Sequence, residues 1–277
     1  MKRNRLLLFE IIFNTNNSFI TFSKLMKSLT QFLYESLETR IPTSNSELQE
    51  LLLDLVHKNI FDFNSVNVSK VTDMAFLFAT SEFENINFDV SKWDVSHVTN
   101  MQSMFDGCTK FNCDLSQWDT SKVTNMFRMF AGCESFEGKG LSNFDVSNVV
   151  FFGSMFYDCK KMNSDLSKWN VFKAKDMNGM FAECKIFNQD ISSWDVSRVT
   201  DMANMFKNCK SFNQDISAWD VSRVEFMTSM FEGCEKFDKD LSSWDVAYLH
   251  FGRDTFKNCK SLKKLPEWYS SEEISKN

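Results

Sequence analysis

The chain has 277 residues, of which 43% are hydrophobic and 25% are charged, and its formal net charge is -6. This length suits a soluble folded protein with a sizeable core. Because the net charge is negative and no basic block occurs, nucleic-acid binding is not predicted. Thirty Phe and fifteen Met stand beside eight Gly and two Pro, so a small set of residue types is used repeatedly.

The chain begins with an apolar run behind a basic start, from Met1 to Phe13. Glu10 interrupts this run, and no Ala-x-Ala-like cleavage site follows it. We therefore predict an amphipathic helix or strand, with a secretory signal peptide as the alternative. No stretch of 18 apolar residues occurs, so no transmembrane segment is predicted.

Two helices are predicted before the repeats. The weaker candidate spans Phe19 to Leu37. The stronger one opens with a capping box formed by Ser44 and Glu47. It continues with an apolar stripe made of Leu48, Leu51, Leu52, Leu55 and Val56. We predict a helix from Glu47 to His57 that covers the first coil, within a helical N-terminal cap region over residues 1–60.

A unit of 25 residues then recurs about eight times, and its clearest copy runs from Val196 to Asp220. Every copy has the same phenylalanine column: Phe78, Phe105, Phe130, Phe156, Phe181, Phe206, Phe231 and Phe256. A second column holds Trp93, Trp118, Phe144, Trp169, Trp194, Trp219 and Trp244. Such a period is typical of stacked repeat proteins. We assign the repeats and a short C-terminal cap to residues 61–269, and a frayed tail to residues 270–277.

Two local patterns within the unit predict its secondary structure. One has the spacing of a short helix face and consists of Val199, Met202, Met205, Phe206 and Cys209. In the other, Phe212, Gln214 and Ile216 alternate with Asn213, Asp215 and Ser217, as along a strand. Stacked copies would then form a leucine-rich-repeat-like α/β solenoid. Its parallel sheet of short strands would have short helices on the opposite side.

The unit Val-Ser-x-Val-Thr-x-Met-x-x-Met-Phe-x-x-Cys-x-x-Phe-Asn-x-Asp-Ile-Ser-x-Trp-Asp resembles the repeat of BspA-like leucine-rich-repeat surface proteins. That repeat is also called the Mycoplasma lipoprotein repeat. The resemblance extends from about Val66 to Trp268. It implies a leucine-rich-repeat-like solenoid and a role in adhesion or protein binding, often at a cell or particle surface.

A cysteine column recurs at one position of seven copies: Cys108, Cys133, Cys159, Cys184, Cys209, Cys234 and Cys259. A metal site would need close Cys-x-x-Cys pairs with His, and a disulfide framework would need paired positions. We therefore predict small buried thiols. Free thiols indicate a reducing compartment, which favours an intracellular or virion-associated location over secretion or the cell surface.

Two aspartate columns have a structural and a metal-binding interpretation. One contains Asp89, Asp114, Asp165, Asp190, Asp215 and Asp240, and the other contains Asp94, Asp119, Asp145, Asp195, Asp220 and Asp245. The second column precedes Val-Ser and a predicted helix start, where a carboxylate can accept hydrogen bonds from backbone N–H groups, and we favour a structural role for the columns. Calcium binding is the alternative, although the unit lacks the Gly-rich turns of calcium-binding repeats.

A third column is mostly basic and contains Lys70, His97, Lys122, Asn148, Lys173, Arg198, Arg223 and Tyr248. We favour charge compensation on a solvated edge. The alternative is a stripe that binds an acidic partner.

No nucleophile elbow, Gly-rich phosphate loop or Ser-His-Asp group is recognisable, so no catalytic, cofactor-binding or metal-binding residue is predicted. The predicted function is that of a non-catalytic module for protein binding or adhesion, and the expected partner is a protein. The candidate binding face consists of Asn188, Asp190, Ser192, Asn213, Asp215, Ser217 and Asp240. The alternative is a structural component of a larger assembly, such as a virus particle or surface layer. The oligomeric state stays open.

Overall fold

The computed structural model describes residues 40–269. The chain divides into two compact units, Met1–Ile41 with Ser65–Asn67, and Pro42–Asn64 with Val68–Asn277. In the first unit the described residues include Val66, which is buried. The second unit contains the stacked coils. The predictions for Met1 to Phe13, for Phe19 to Leu37 and for the tail over residues 270–277 lie outside the described residues.

The first helix, α1, spans Asn45–His57, which confirms the predicted helix. The Ser44 hydroxyl accepts a hydrogen bond from the backbone N–H of Glu47. The Glu47 carboxylate in turn accepts one from the backbone N–H of Thr43. The four leucines of the apolar stripe are buried and Val56 is half-buried. The Gln49 side chain donates to the Leu77 carbonyl of the first coil. Over residues 40–269, none of the helices is long and apolar enough to traverse a bilayer.

Two short helices accompany the insertions in the repeat. The α2 helix spans Ser81–Glu84, where the sequence has two extra residues. A 3-10 helix spans Leu141–Asn143, beside the one-residue insertion around Gly138 to Gly140. With α1, these are the helices of the described residues. The insertions are therefore absorbed locally, and the coils keep their register on both sides.

Successive coils are joined by a ladder of single parallel β-bridges. Its members are Asp73, Asn100, Asn125, Phe151, Asp176, Asp201, Phe226 and Phe251, and another bridge joins Asp62 to Asp89. Beside the bridge, alternate backbone N–H groups donate to carbonyls of the next coil. Met202 donates to Phe226 at 2.9 Å, and Asn204 donates to Thr228 at 2.8 Å. The backbone N–H and C=O groups beside the bridges are therefore satisfied by hydrogen bonds between coils, and not by those of a helix or an extended sheet.

The predicted short helix of each repeat is wrong. The segment from Met202 to Cys209 forms consecutive turns instead, in which Met205 N–H donates to Met202 and Cys209 N–H donates to Phe206. The third residue of each turn, Asn204 or Asn208, has a φ of 57° or 59°. Such positive values are the signature of type II turns, and they exclude an α-helix, which needs φ near -63° at every position.

The predicted parallel sheet is also wrong, because each coil contributes one bridging residue rather than a strand between residues 40 and 269. The segment predicted as a strand forms local turns, which are held by side-chain and backbone hydrogen bonds. The Asp215 carboxylate accepts from the Ser217 N–H, and Trp219 N–H donates to the Ile216 carbonyl. These local turns use the backbone groups that a sheet would need. The leucine-rich-repeat-like α/β solenoid is therefore corrected to stacked coils built from turns.

The core between the turns consists of stacked aromatic rings. The Phe206 ring centroid lies 5.8 Å from that of Phe181 and 5.6 Å from that of Phe231, with nearly parallel planes. Each tryptophan adds a hydrogen bond between coils, as when Trp219 Nε1 donates to the Ile191 carbonyl at 3.2 Å. The recurring aromatic columns of the sequence are therefore the layers of this core.

Two glycines give a matched test of the close approach between coils. Gly140 has a φ of 89°, and an added Cβ would lie 2.5 Å from the Leu115 carbonyl carbon. Gly107 has a φ of 81°, but an added Cβ would meet no atom within 4 Å. Gly107→Ala is therefore expected to lower the free energy of unfolding by about 1–2 kcal/mol, from backbone strain alone. Gly140→Ala adds a clash and is expected to lower it by about 2–5 kcal/mol. Urea unfolding measures both, and equal losses would contradict the packing described.

Candidate functional site

The predicted binding face lies together on neighbouring coils, and several of its side chains accept a structural hydrogen bond through one oxygen. Asn188 Oδ1 accepts from the Asn213 N–H at 2.8 Å. Asp190 Oδ1 accepts from the Ser192 N–H at 2.9 Å. The same turn occurs in the next two coils, with Asp215 accepting from Ser217 and Asp240 from Ser242. The residues of this face therefore stabilise the turns of the coils and connect neighbouring coils by hydrogen bonds.

Both aspartate columns accept backbone hydrogen bonds, which confirms the structural interpretation. In the second column, Asp195 accepts from the Ser197 N–H and Asp220 accepts from the Ser222 N–H. Hydrogen bonds from Ser192 hold the pKa of Asp190 below its ordinary value. In the described part of the chain, no group of three or more His, Cys, Asp and Glu residues is placed to hold a metal ion.

The cysteine column is buried and its thiols are free, as predicted. Each Sγ donates to a phenylalanine carbonyl of the preceding coil, as when Cys209 contacts Phe181 at 2.9 Å. Burial raises the pKa of these thiols, and that of Cys259 rises to about 12. A thiol with so high a pKa is a poor nucleophile and a poor metal ligand, so this column serves packing.

Another surface is formed by aromatic residues that depart from the repeat. Phe226 and Phe251 occupy bridge positions where most other coils have Asp or Asn, and Phe151 is a third aromatic residue in this column. Their ring centroids are 5.3 Å apart with an interplanar angle of 3°. Phe226 is 36% exposed and Phe251 is 43% exposed. We call these two residues the aromatic pair.

A groove of about 720 Å³, which we call the basic groove, lies on the coil that contains Phe226 and on the two coils before it. Three cationic side chains line it, those of Lys175, Arg198 and Arg223. The other lining residues are Asp220, Phe172, Ser197, Thr200 and Ser222. The Arg198 guanidinium lies 4.0 Å from the centroid of the Phe172 ring. A neighbouring depression of about 360 Å³ is lined by Thr200, Arg223, Glu225 and Tyr248. This depression shares Thr200 and Arg223 with the basic groove, and its Glu225 precedes Phe226 in the chain.

Sequence reasoning identified part of this surface and missed the rest. Arg198, Arg223 and Tyr248 were recognised as members of one column, but Lys175 and the aromatic pair were not singled out. The available signal was an aromatic residue in a polar column. Phe172, for example, stands where the other coils have Ser or Ala. Such departures from the repeat indicate positions that are not needed to hold the coil.

Comparison with known proteins gives a family but no function. The family described as "Mycoplasma protein of unknown function, DUF285" matches residues 47–169, 117–211 and 152–268. No curated protein matches the chain. One similar solved structure is titled "Crystal structure of TLR13-ssRNA13 complex", with 11% identity and a TM-score of 0.16 over 79% of this chain. The chain spans about half the length of that protein, with 51% covered. From the three family matches, the chain belongs to the DUF285 Mycoplasma repeat family.

Proposed function

We propose that this protein is a non-catalytic protein-binding module and that the aromatic pair is the centre of its binding surface. The observation that carries the proposal is the stacking of Phe226 on Phe251 at an exposed position. Five other coils place Asp or Asn there and one places Phe151, so the coil does not need an aromatic side chain at this point. Exposed rings without a structural task are typical of the anchor residues of protein interfaces.

The size of the surface fits a protein partner. A fully buried aromatic side chain covers about 150–250 Å². A specific interface needs about 800 Å² on each side. Tyr248 is 64% exposed and extends the aromatic surface beyond Phe226 and Phe251. These three rings could supply the apolar centre of such an interface, and the basic groove beside them could supply part of its polar rim.

The repeated polar residues support a non-catalytic role. Asp190, Asp215 and Asp220 each accept a backbone N–H within their own turn. A residue that does the same structural work in successive coils is not specialised for chemistry in one of them. The adhesion-type role implied by the resemblance to BspA-like surface proteins is included in this proposal. A structural component of a larger assembly would use the same surface toward a neighbouring subunit.

The proposal is tested by replacing the aromatic pair. The tagged full chain and its Phe226→Ser/Phe251→Ser variant are used to retain proteins from an extract of the source organism, with quantitative mass spectrometry of the bound fraction. The variant is expected to retain a specific partner at least about tenfold less, because each anchor ring is worth roughly 2 kcal/mol or more.

The matched control is Tyr157→Ser/Ile186→Ser, which removes two exposed hydrophobic side chains of other columns. It is expected to retain the partner as the unchanged protein does. If the aromatic-pair variant retains the same proteins in the same amounts, the proposed surface is wrong. If the control variant loses the partner to the same extent, the retention reflects nonspecific hydrophobic binding and not recognition by the aromatic pair.

A further inference from the structure

The basic groove has an excess of positive charge on a protein whose net charge is negative. Lys175, Arg198 and Arg223 line it together with Asp220. Hydrogen bonds from Ser222 lower the pKa of Asp220 first, and the charge of Arg223 lowers it further. Between residues 40 and 269, no carboxylate forms a salt bridge with Lys175 or Arg223, whereas Arg128 pairs with Asp106 at 2.8 Å. Positive charge is therefore available to a ligand here.

The two arginines are placed side by side by the repeat. Arg198 and Arg223 occupy the same position in consecutive coils, and those coils are joined by the bridge from Asp201 to Phe226. Neighbouring backbones at such a bridge lie about 4.8 Å apart, and both side chains line the same groove. Two like charges in one groove repel each other. An anionic ligand between the two guanidinium groups would turn this repulsion into attraction.

The Phe172 ring restricts the orientation of Arg198. The guanidinium lies 4.0 Å from the ring centroid, which is the distance of a cation–π contact. Phe172 replaces the Ser found at this position in most other coils. An arginine that is held in place loses less side-chain entropy when it binds a ligand. The substitution at Phe172 and the charge at Arg198 therefore act on the same site.

We infer that this groove binds the carboxylate side chains of an acidic protein segment, an inference that rests on the proposed function and names the chemistry of the partner. Arginine matches the geometry of a carboxylate through two parallel N–H···O bonds. Asp220 in the groove and Glu225 in the neighbouring depression would repel a continuous polyanion such as a nucleic acid. The same carboxylates can accept hydrogen bonds from the backbone N–H groups of a peptide. A segment with spaced acidic residues therefore fits the charge pattern.

The test measures the binding of a fluorescein-labelled peptide of alternating Glu and Gly to the full chain by fluorescence anisotropy. Arg198→Gln and Arg223→Gln are each expected to weaken binding about tenfold, as is usual for the loss of a charge-assisted hydrogen bond. Lys122→Gln is the matched control, because Lys122 occupies the same column three coils before Arg198 and four before Arg223, and it is expected to leave binding unchanged. Raising the salt concentration from about 50 mM to about 500 mM is expected to weaken binding.

Three outcomes would overturn the inference. The first is that the Glu-Gly peptide does not bind, or binds no better than a Gln-Gly peptide. The second is that Lys122→Gln weakens binding as much as Arg223→Gln does. The third is that a labelled single-stranded oligonucleotide binds more tightly than the peptide and loses affinity in the same variants. None of these outcomes affects the aromatic-pair test, because that test replaces Phe226 and Phe251 and does not use the peptide. If the aromatic-pair variant retains the partner, the peptide affinities still report whether the basic groove binds carboxylates.

Discussion

At about pH 9.5 the chain is expected to have lost most of the free energy of unfolding that it has at about pH 7.5. The seven thiols of the cysteine column are buried, and burial raises the pKa of each, as for Cys133, Cys159 and Cys234. In the unfolded chain these thiols titrate near about 8.5. The unfolded state therefore releases protons that the folded state keeps, and stability falls as the pH rises above that value.

The size of this effect follows from the number of thiols. Each buried thiol costs about 1.3 kcal/mol between about pH 7.5 and about pH 9.5. Seven of them together cost roughly 9 kcal/mol, which is comparable to the whole stability of a typical domain at about 5–15 kcal/mol. Below the unfolded-state pKa the contribution is fully present, so stability is expected to change little from this source near neutral pH.

Urea unfolding in the presence of a reductant measures the effect across this pH range. The control is Cys209→Ser, whose hydroxyl can still donate to the Phe181 carbonyl that now accepts from Cys209 Sγ. Its free energy of unfolding is expected to fall less steeply as the pH rises, because one proton fewer is released on unfolding. A free energy of unfolding that is flat up to about pH 9.5 would show that the thiols are exposed to water in the folded state.

The second large effect is expected from Phe206→Ala. The Phe206 ring is completely buried, stacks on Phe181 and Phe231, and lies 4.1 Å from the Phe212 centroid. Its removal leaves a cavity in the middle of the coils, where neighbours held by backbone hydrogen bonds on both sides cannot collapse into it. The free energy of unfolding is expected to fall by about 3–5 kcal/mol.

Phe226→Ala is the matched control for that substitution. The residue type is the same, and Phe226 also stacks on a ring of the next coil, but it is exposed. Its replacement is expected to cost under about 1 kcal/mol. Equal losses for the two variants in urea unfolding would mean that the phenylalanine column is not the core.

The sequence predicted the register of the coils, the buried columns and the α1 helix, because repetition and the capping box are local signals. It failed on the backbone between Met202 and Cys209, because inward-facing residues at this spacing suit consecutive turns as well as a helix. A signal was available in the column that contains Gly107, Gly132, Asn208 and Gly233. Gly and Asn are the residues that most readily adopt positive φ, and their recurrence at one position indicates a left-handed turn.

The candidate site was predictable only in part for a related reason. Columns reveal what every coil needs, so they led to Asn188, Asp190 and Asp215, whose oxygens build the turns. The aromatic pair is visible only as a departure from a polar column, and its exposure depends on the bridge that places Phe226 beside Phe251. The sequence alone does not show that this bridge position faces solvent.

Repeated residues build the coils, and we propose that departures from the repeat bind the partner. The most direct test measures unfolding and partner retention together for Asp215→Ala and for Phe226→Ser/Phe251→Ser. We expect Asp215→Ala to lower the free energy of unfolding by about 0.5–2 kcal/mol and to retain the partner, because its carboxylate caps a turn. We expect Phe226→Ser/Phe251→Ser to unfold nearly as the unchanged protein does and to lose the partner. Loss of the partner in a folded Asp215→Ala protein, with retention by the aromatic-pair variant, would contradict the account.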